Sequence, residues 1–332
     1  MKKACIVVAP TYQKNKLFDL SDKLINRDNC MFPFFLLKER LYENGYILAT
    51  HDINTIEESD IVIYNEMPKV LPEKRDIHKS YLLIFESELI RPDNWDISKH
   101  DYFHKIFTWQ DDIIDNKKYF KFNFAQNIPK TIAKDLSKKE KLCTLISGNK
   151  KVNHPLELYT KRIEAIKWFE KNHPEDFDFY GIGWDKFSHP NKYINYFLSK
   201  TNMATLLQPK FSSYKGRIDS KREVLEKYKF SICYENARDI PGYITEKIFD
   251  CFFAGCIPIY WGANNITEYI PKECFIDKRK FDSYEKLYKF LKHMSEEQYL
   301  EYLNNIEQYL NSKNIHQFSS KFFVDQLIEN VV

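Results

Sequence analysis

Neither sign of charge dominates this 332-residue chain: 50 Lys and Arg stand against 47 Asp and Glu, for a net charge of +3. Charges so evenly mixed carry no argument for nucleic acid, and the small positive bias is compatible with an anionic ligand. No window approaches the roughly 18 apolar residues that a membrane-crossing helix needs. The N-terminal MKKACIVVAP has an apolar run only from Ala4 to Ala9, too short for a secretory segment, and reads as a first buried strand. Seven cysteines (Cys5, Cys30, Cys143, Cys233, Cys251, Cys256, Cys274) are odd in number, never spaced CxxC, and mostly set in apolar runs. That pattern argues against a disulfide framework and for reduced core thiols in a soluble cytoplasmic protein. P-loop, GxSxG and dinucleotide GxGxxG motifs are missing, which ranks nucleotide hydrolase, serine hydrolase and dehydrogenase chemistry low. Internal repeats and low-complexity tracts are also missing. Glycine is scarce, and seven of the eight lie at or beyond Gly148, so the tight strand-to-helix turns that let a backbone approach a ligand belong to the second half.

What is present describes a globular α/β protein of two ordinary domains, 43% hydrophobic and 29% charged. After a strand at Cys5–Val8, Phe34, Leu37 and Leu41 recur at helical spacing. They predict a helix over 33–44, with Asp28 or Asn29 near its cap and Asn44-Gly45 as its stop. Ile61–Tyr64 and Tyr81–Phe85 are short continuous apolar runs of the kind expected in parallel strands covered on both faces, and their alternation with helical stretches implies a doubly wound domain. Ligands of such sheets lie at the carboxyl ends of the strands. Glu86-Ser87-Glu88 directly follows one, and a carboxylate there can take a proton from a sugar hydroxyl or be a solvated turn. Tyr102–Trp109 reads as a further strand, whose Trp109 would stack on a sugar ring if exposed, a core tryptophan being the commoner case. His100 and His104 are four apart, but the segment looks extended and no metal is assigned to them. The polar, lysine-rich segment 127–141 is the best linker candidate.

The second half opens with a strand at Cys143–Ile146 and a Ser147-Gly148-Asn149-Lys150 turn. A helix follows from about Pro155, with Leu156, Tyr159, Ile163, Ile166 and Phe169 as its buried stripe. Arg162 is placed opposite that stripe, as a surface arginine or as a guanidinium reaching a diphosphate in bidentate fashion. Asp176-Phe177-Asp178 resembles a metal-binding DxD only superficially; with aromatic residues alternating it reads as an edge strand. The most informative stretch is 228–269. A strand, Phe230–Tyr234, enters the polar loop Glu235–Gly242; a helix begins near Thr245; a second strand, Ile257–Trp261, ends at Gly262. A loop before a helix start is where such βαβ units hold phosphates, because free N–H groups and the helix dipole favour anions. Glu235, Asn236, Tyr243, Glu246 and Lys247 converge there. Helices over 281–294 and 296–310 follow, the second opened by a Ser295/Gln298 capping box. The stripe Phe322, Phe323, Leu327 and Val331 marks a last helix, which folds back over the first domain or lies on a membrane surface.

The runs YKFSICYEN (228–236), GYITEKI (242–248) and PIYWG (258–262) together resemble the α-1,3-fucosyltransferase family, which uses GDP-fucose. Further similarity lies in Lys215-Gly216, Glu86-Ser87 and Phe107-Thr108-Trp109. The resemblance implies a GT-B architecture, two Rossmann-like doubly wound domains facing each other across a cleft, with C-terminal helices: residues 1–135 for the acceptor, 136–310 for the GDP-sugar, and 311–332 as a closing helix. It implies GDP-fucose contacts at Arg162, Asn236, Tyr243, Glu246 and Lys247, and a catalytic base at Glu86. Many relatives read Glu-Ser-Pro where this chain has Glu86-Ser87-Glu88, so Glu88 is the other candidate. The implied reaction is inverting transfer of fucose, in α-1,3 linkage, to an N-acetyllactosamine-like or O-antigen glycan, lipid-linked acceptors and peripheral contact with the inner membrane included. It needs no nucleic acid, no cofactor beyond the donor and no obligatory metal, because Lys247 and Arg162 can take the charge of the departing diphosphate. Animal members carry a signal anchor, which is missing here and favours a bacterial-type cytoplasmic enzyme. Transfer of another GDP-deoxysugar, and a catalytically idle glycan- or sugar-nucleotide-binding protein, are the alternatives.

Overall fold

The computed structural model describes residues 1–185, 192–201, 203 and 210–332. Two wholly parallel sheets organise it. The first holds β1 (Lys2–Val7), β2 (Tyr46–Thr50), β3 (Ile61–Asn65), β4 (Ser80–Ile84), β5 (Lys105–Thr108) and β6 (Tyr119–Lys121) in the order β2-β1-β3-β4-β5-β6. The second holds β7 (Lys141–Ile146), β8 (Phe177–Tyr180), β9 (Tyr228–Tyr234), β10 (Ile257–Trp261) and β11 (Ile276–Asp277) in the order β11-β10-β9-β7-β8. Continuous apolar runs make these strands: SYLLI in β4 is buried at every position, as parallel strands covered on both faces require. In each sheet the first strand sits between its second and third, so chain direction across the sheet reverses at β1/β3 and at β7/β9. Those are the switch points where ligands of open α/β sheets bind.

Helix α1 (Phe32–Glu43) buries Phe34, Leu37 and Leu41, and ends at Asn44 before Gly45, whose φ of +88° is left-handed. The expected cap is not there. Met31 holds that place without a side-chain bond, while Asp28 and Asn29 form a preceding left-handed turn. Asp28 is turned instead toward the second half, where its carboxylate accepts from Ser220 Oγ at 3.3 Å and Lys221 N at 3.4 Å. Full helices do not alternate with the remaining strands of the first sheet; short 3₁₀ turns connect most of them.

The second half carries α2 (Tyr159–Asn172), α3 (Lys192–Lys200), α4 (Lys221–Leu225), α5 (Glu246–Phe253), α6 (Ile266–Tyr269), α7 (Tyr284–His293) and α8 (Glu296–Leu310). Strands β9 and β10 pair in parallel around α5, the expected βαβ unit, and α8 opens on the expected Ser295/Gln298 capping box. Edge strand β8 explains the DFD pattern: Phe177 and Phe179 are core residues, and buried Asp178 accepts from Lys141 at 3.0 Å and Tyr228 at 2.7 Å. His100 is likewise engaged by protein, with Asn94 O at 2.7 Å and Tyr119 Oη at 2.9 Å from its ring nitrogens. Segment 127–141 is pinned to α8, Ile132 N and Lys134 Nζ meeting Glu307 at 3.2 and 2.5 Å. All seven cysteines are free, and six are buried.

Helix α9 (Ser320–Val331) returns to the first sheet, where Phe323 packs on Phe34, Phe85 and Phe122. The two halves are joined closely. Ala237 and Tyr243 of the second enter the core of the first. Gly242, at φ +79°, lies so near Trp109 that a Cβ would stand 2.3 Å from the tryptophan's carbonyl oxygen, so only glycine fits. Asp111 completes the join, accepting from Lys121 and Tyr269, both at 2.5 Å, and Asn265 at 2.8 Å. Among the described residues no helix is long and apolar enough to cross a membrane.

Candidate active site

A cavity of about 590 Å³ opens at the carboxyl ends of β7, β8 and β9. Glu86, Arg162, Asn236, Tyr243, Glu246 and Lys247 all line it, so the residues singled out in the sequence are brought to one place from both halves. A second cavity of about 980 Å³ lies against the first sheet, walled by aromatic residues that include Phe34, Phe85 and Phe124, and Glu86 lines both. Glu88 is exposed and lines neither.

Behind the first cavity stands Glu235, which directly follows β9 and is fully buried. Its carboxylate accepts from Thr245 N at 2.8 Å, Thr245 Oγ1 at 2.7 Å and Lys247 Nζ at 3.1 Å. An anion placed at the start of α5 suits the dipole there and fixes the first turn. It also aims Lys247, whose ammonium burial alone would lower but which Glu235 and Glu246 hold above its ordinary value. Glu246 is the counterpart: burial alone would raise its carboxyl, and Lys247 and Lys221 hold it below the usual range. Glu235 stands among the polar residues that converge on this helix start in the sequence, and a carboxylate directly after an apolar strand, ten residues before the cap Thr245, is the signal of its structural part.

Arg162 corrects an expectation. It lies on the buried face of α2 with Tyr159, Ala165, Ile166 and Phe169, not opposite that stripe. Residues 158, 162, 165, 166 and 169 share that face at spacings of three and four, so position 162 points inward whatever its polarity. Its guanidinium donates to Tyr234 O at 2.6 Å and Asn236 Oδ1 at 3.1 Å and sits 4.8 Å from the Tyr159 ring centre. Both hydrogen-bond acceptors are neutral, and burial pulls the Arg162 pKa down. A buried cation so held favours an anion at the cavity side.

Asn236 is an organiser, taking Arg162 on its oxygen and reaching Tyr243 Oη with its amide at 3.4 Å. Buried Tyr243 packs against Trp109, ring centres 4.6 Å apart, and Trp109 donates to Phe85 O at 2.7 Å. Trp109 is therefore a core residue wedged between the halves, not an exposed platform for a sugar; it is 1% exposed. Its place next to the Gly242 loop, invisible in sequence, is the reason. Glu86 follows β4 by two residues, where its amide donates to Glu66 Oε1 at 3.0 Å and its carbonyl accepts from Trp95 Nε1 at 3.1 Å. Burial pushes its carboxyl up, partly offset by Lys150 and Lys247 across the cleft. Lys150, Lys221, Asp250 and Arg27 also line the cavity without having been singled out. Among the described residues no group of three His, Cys, Asp or Glu is placed to hold a metal ion.

Residues 182–327 match the family model described as glycosyltransferase family 10 (fucosyltransferase), C-terminal part. The match lies within the second half of the chain and covers less than half of the whole. Over 77 residues, 23% of this chain and 16% of the relative, it is 34% identical to an alpha-(1,3)-fucosyltransferase, FucT, of Helicobacter pylori. The chain thus spans only about a sixth of that curated relative. Among solved structures, an alpha1,3-fucosyltransferase with GDP superposes with a TM-score of 0.56 at 15% identity, covering 100% of this chain and 92% of that one. An alpha-glucosyltransferase in complex with UDP-glucose and DNA does so with a TM-score of 0.59 at 12% identity, covering 99% of each. At such identity these likenesses speak for the fold, the α/β GT-B architecture that the family 10 resemblance implies.

Proposed function

We propose that this protein transfers fucose from GDP-fucose to a hydroxyl of an N-acetyllactosamine-like or O-antigen glycan in α-1,3 linkage, with inversion at the anomeric carbon. On this reading residues 1–135 hold the acceptor, residues 136–310 hold the donor, and 311–332 brace the first sheet. The observation that carries it is the convergence of Glu86, from one half, with Lys247 and Arg162, from the other, on one cavity. The diphosphate lies at the start of α5, against Lys247 and Arg162. The acceptor enters through the aromatic cavity that shares Glu86. Its hydroxyl oxygen attacks the fucose anomeric carbon as the bond to the diphosphate oxygen breaks; the proton passes to Glu86 and the electron pair leaves with GDP. Such general-base help is typically worth about 10² to 10⁴ in rate. Fixed cations aimed at the oxygen where charge develops add to it without reorganisation. Glu246, charged and at the cavity wall, takes sugar hydroxyls. Lys247 and Arg162 make a metal unnecessary, so turnover is expected to survive EDTA.

A donor panel tests the reading. Purified protein with a mixed glycan acceptor set is expected to consume GDP-fucose and to leave GDP-mannose and GDP-colitose intact. Consumption of a different GDP-sugar would reassign the donor, and GDP binding with no transfer from any donor would sink the enzyme reading.

A further inference from the structure

Glu66 lies outside the donor cavity, lines the second cavity beside Glu86, is given no role in the reaction above, and is built in at a visible cost. It follows β3 with φ at +74°, a left-handed backbone that a non-glycine residue seldom adopts. Its carboxylate is the meeting point of three donors. Oε1 accepts from Phe85 N at 3.1 Å and Glu86 N at 3.0 Å, and Oε2 from the side-chain amide of Asn94. Asn94, fully buried, is itself held: its Oδ1 accepts from Met67 N at 2.8 Å, and its carbonyl meets His100 Nε2 at 2.7 Å. The carbonyl of Glu86 is gripped from the same side, by Trp95 Nε1 at 3.1 Å and Asn94 Nδ2 at 3.3 Å.

Both backbone polar groups of Glu86 are therefore clamped by one network, in which Glu66 is the carboxylate that takes the Glu86 amide. From this geometry, and resting on the reading of Glu86 as the base, we infer that Glu66 is a positioning residue: its ionised carboxylate sets the backbone that carries Glu86 and so aims the base at the acceptor hydroxyl. None of the three donors can accept a proton, so protonated Glu66 must turn its O–H away from one of them and loosen the clamp. Burial pushes the Glu66 carboxyl up to about 7, against the pull of Asn94 and with a further push from Glu86. The charged groups facing this pair are Arg91, which donates to Met67 O at 2.7 Å, and, across the cleft toward Glu86, Lys150, Lys247 and Glu246; His100 stands behind Asn94.

The experiment is a pH profile of kcat for the full chain, wild type against Glu66→Gln and Glu66→Asp, with GDP affinity measured on each. Glu66→Gln is expected to lower kcat about 10- to 100-fold, as a small misplacement of a reacting group does, with GDP affinity and the KM for GDP-fucose within twofold. The acid limb of log kcat is expected to approach a slope of two in the wild type, where Glu66 and Glu86 both titrate, and one in Glu66→Gln. Glu66→Asp keeps the charge, so it retains the slope of two with an intermediate kcat. If Glu66→Gln does not fold, Glu66→Asp decides alone, and wild-type kcat in it overturns the inference. A Glu66→Gln protein with wild-type kcat, or with an unchanged acid limb, also overturns it and leaves the base reading standing. A wild type that transfers nothing overturns both.

Discussion

Replacing Lys247 by methionine separates the ion pair that its ammonium makes from the donor contact proposed for it. In the free protein it lies 3.1 Å from Glu235 Oε2 and 2.9 Å from Thr245 Oγ1, with 22% of its side chain exposed and Glu235 fully buried. Breaking a buried pair from one side costs about 3–5 kcal/mol. Here Glu235 keeps both Thr245 bonds and water reaches Lys247, so the loss of stability is expected at about 1–3 kcal/mol. Donor binding loses a charge-assisted contact worth about 1.5–3 kcal/mol, a GDP affinity weaker by about 10- to 150-fold. The second variant, Glu235→Gln with Lys247→Met, removes the orphaned charge and is expected to recover most of the stability and none of the affinity. Urea denaturation gives the first quantity and calorimetric titration with GDP the second. Wild-type GDP affinity in Lys247→Met refutes the role of Lys247; affinity returning together with stability in the double variant would show that the ammonium merely holds the fold.

Gly242→Ala places a Cβ 2.3 Å from Trp109 O at a left-handed φ, and is expected to cost at least ~2 kcal/mol in urea denaturation; unchanged stability would mean that the halves are not joined there. Glu66 has a folded pKa of about 7, raised above its unfolded value by burial, so it holds its proton more tightly when folded. Its contribution is fully present below the unfolded value and is lost as pH rises toward 7. Glu66→Gln is therefore expected to flatten the fall of stability between pH 5 and 7 by up to about 1.4 kcal/mol per pH unit, and parallel curves for the two proteins would refute it.

Much of this molecule was legible because it depends on local pattern. Apolar runs such as IVIYN and SYLLI make parallel strands wherever they are covered on both faces, and the loop from Glu235 to Thr245 announced its βαβ unit through its turn residues. What escaped reading depends on distant packing. The inward turn of Arg162 requires β9 to pass alongside with a free carbonyl at Tyr234, and the burial of Trp109 requires the Gly242 loop to arrive from 133 residues away in sequence (242 minus 109). Asp28 looked like a helix cap and instead meets the Ser220 turn, because α1 finds its start without it. Glu66 gave no sequence signal, since a lone carboxylate after a strand reads as solvated until the amides of residues 85 and 86 are placed against it.

That two halves supply one reaction is tested most directly by Glu86→Gln, measured for both turnover and donor affinity with GDP-fucose. The side chain keeps its shape and loses its ability to take a proton, so kcat is expected to fall by about 10² to 10⁴ while the Kd for GDP-fucose stays within about twofold. Retention of full turnover, or a collapse of donor affinity in parallel with it, would contradict a base on the first sheet acting on a donor held by the second.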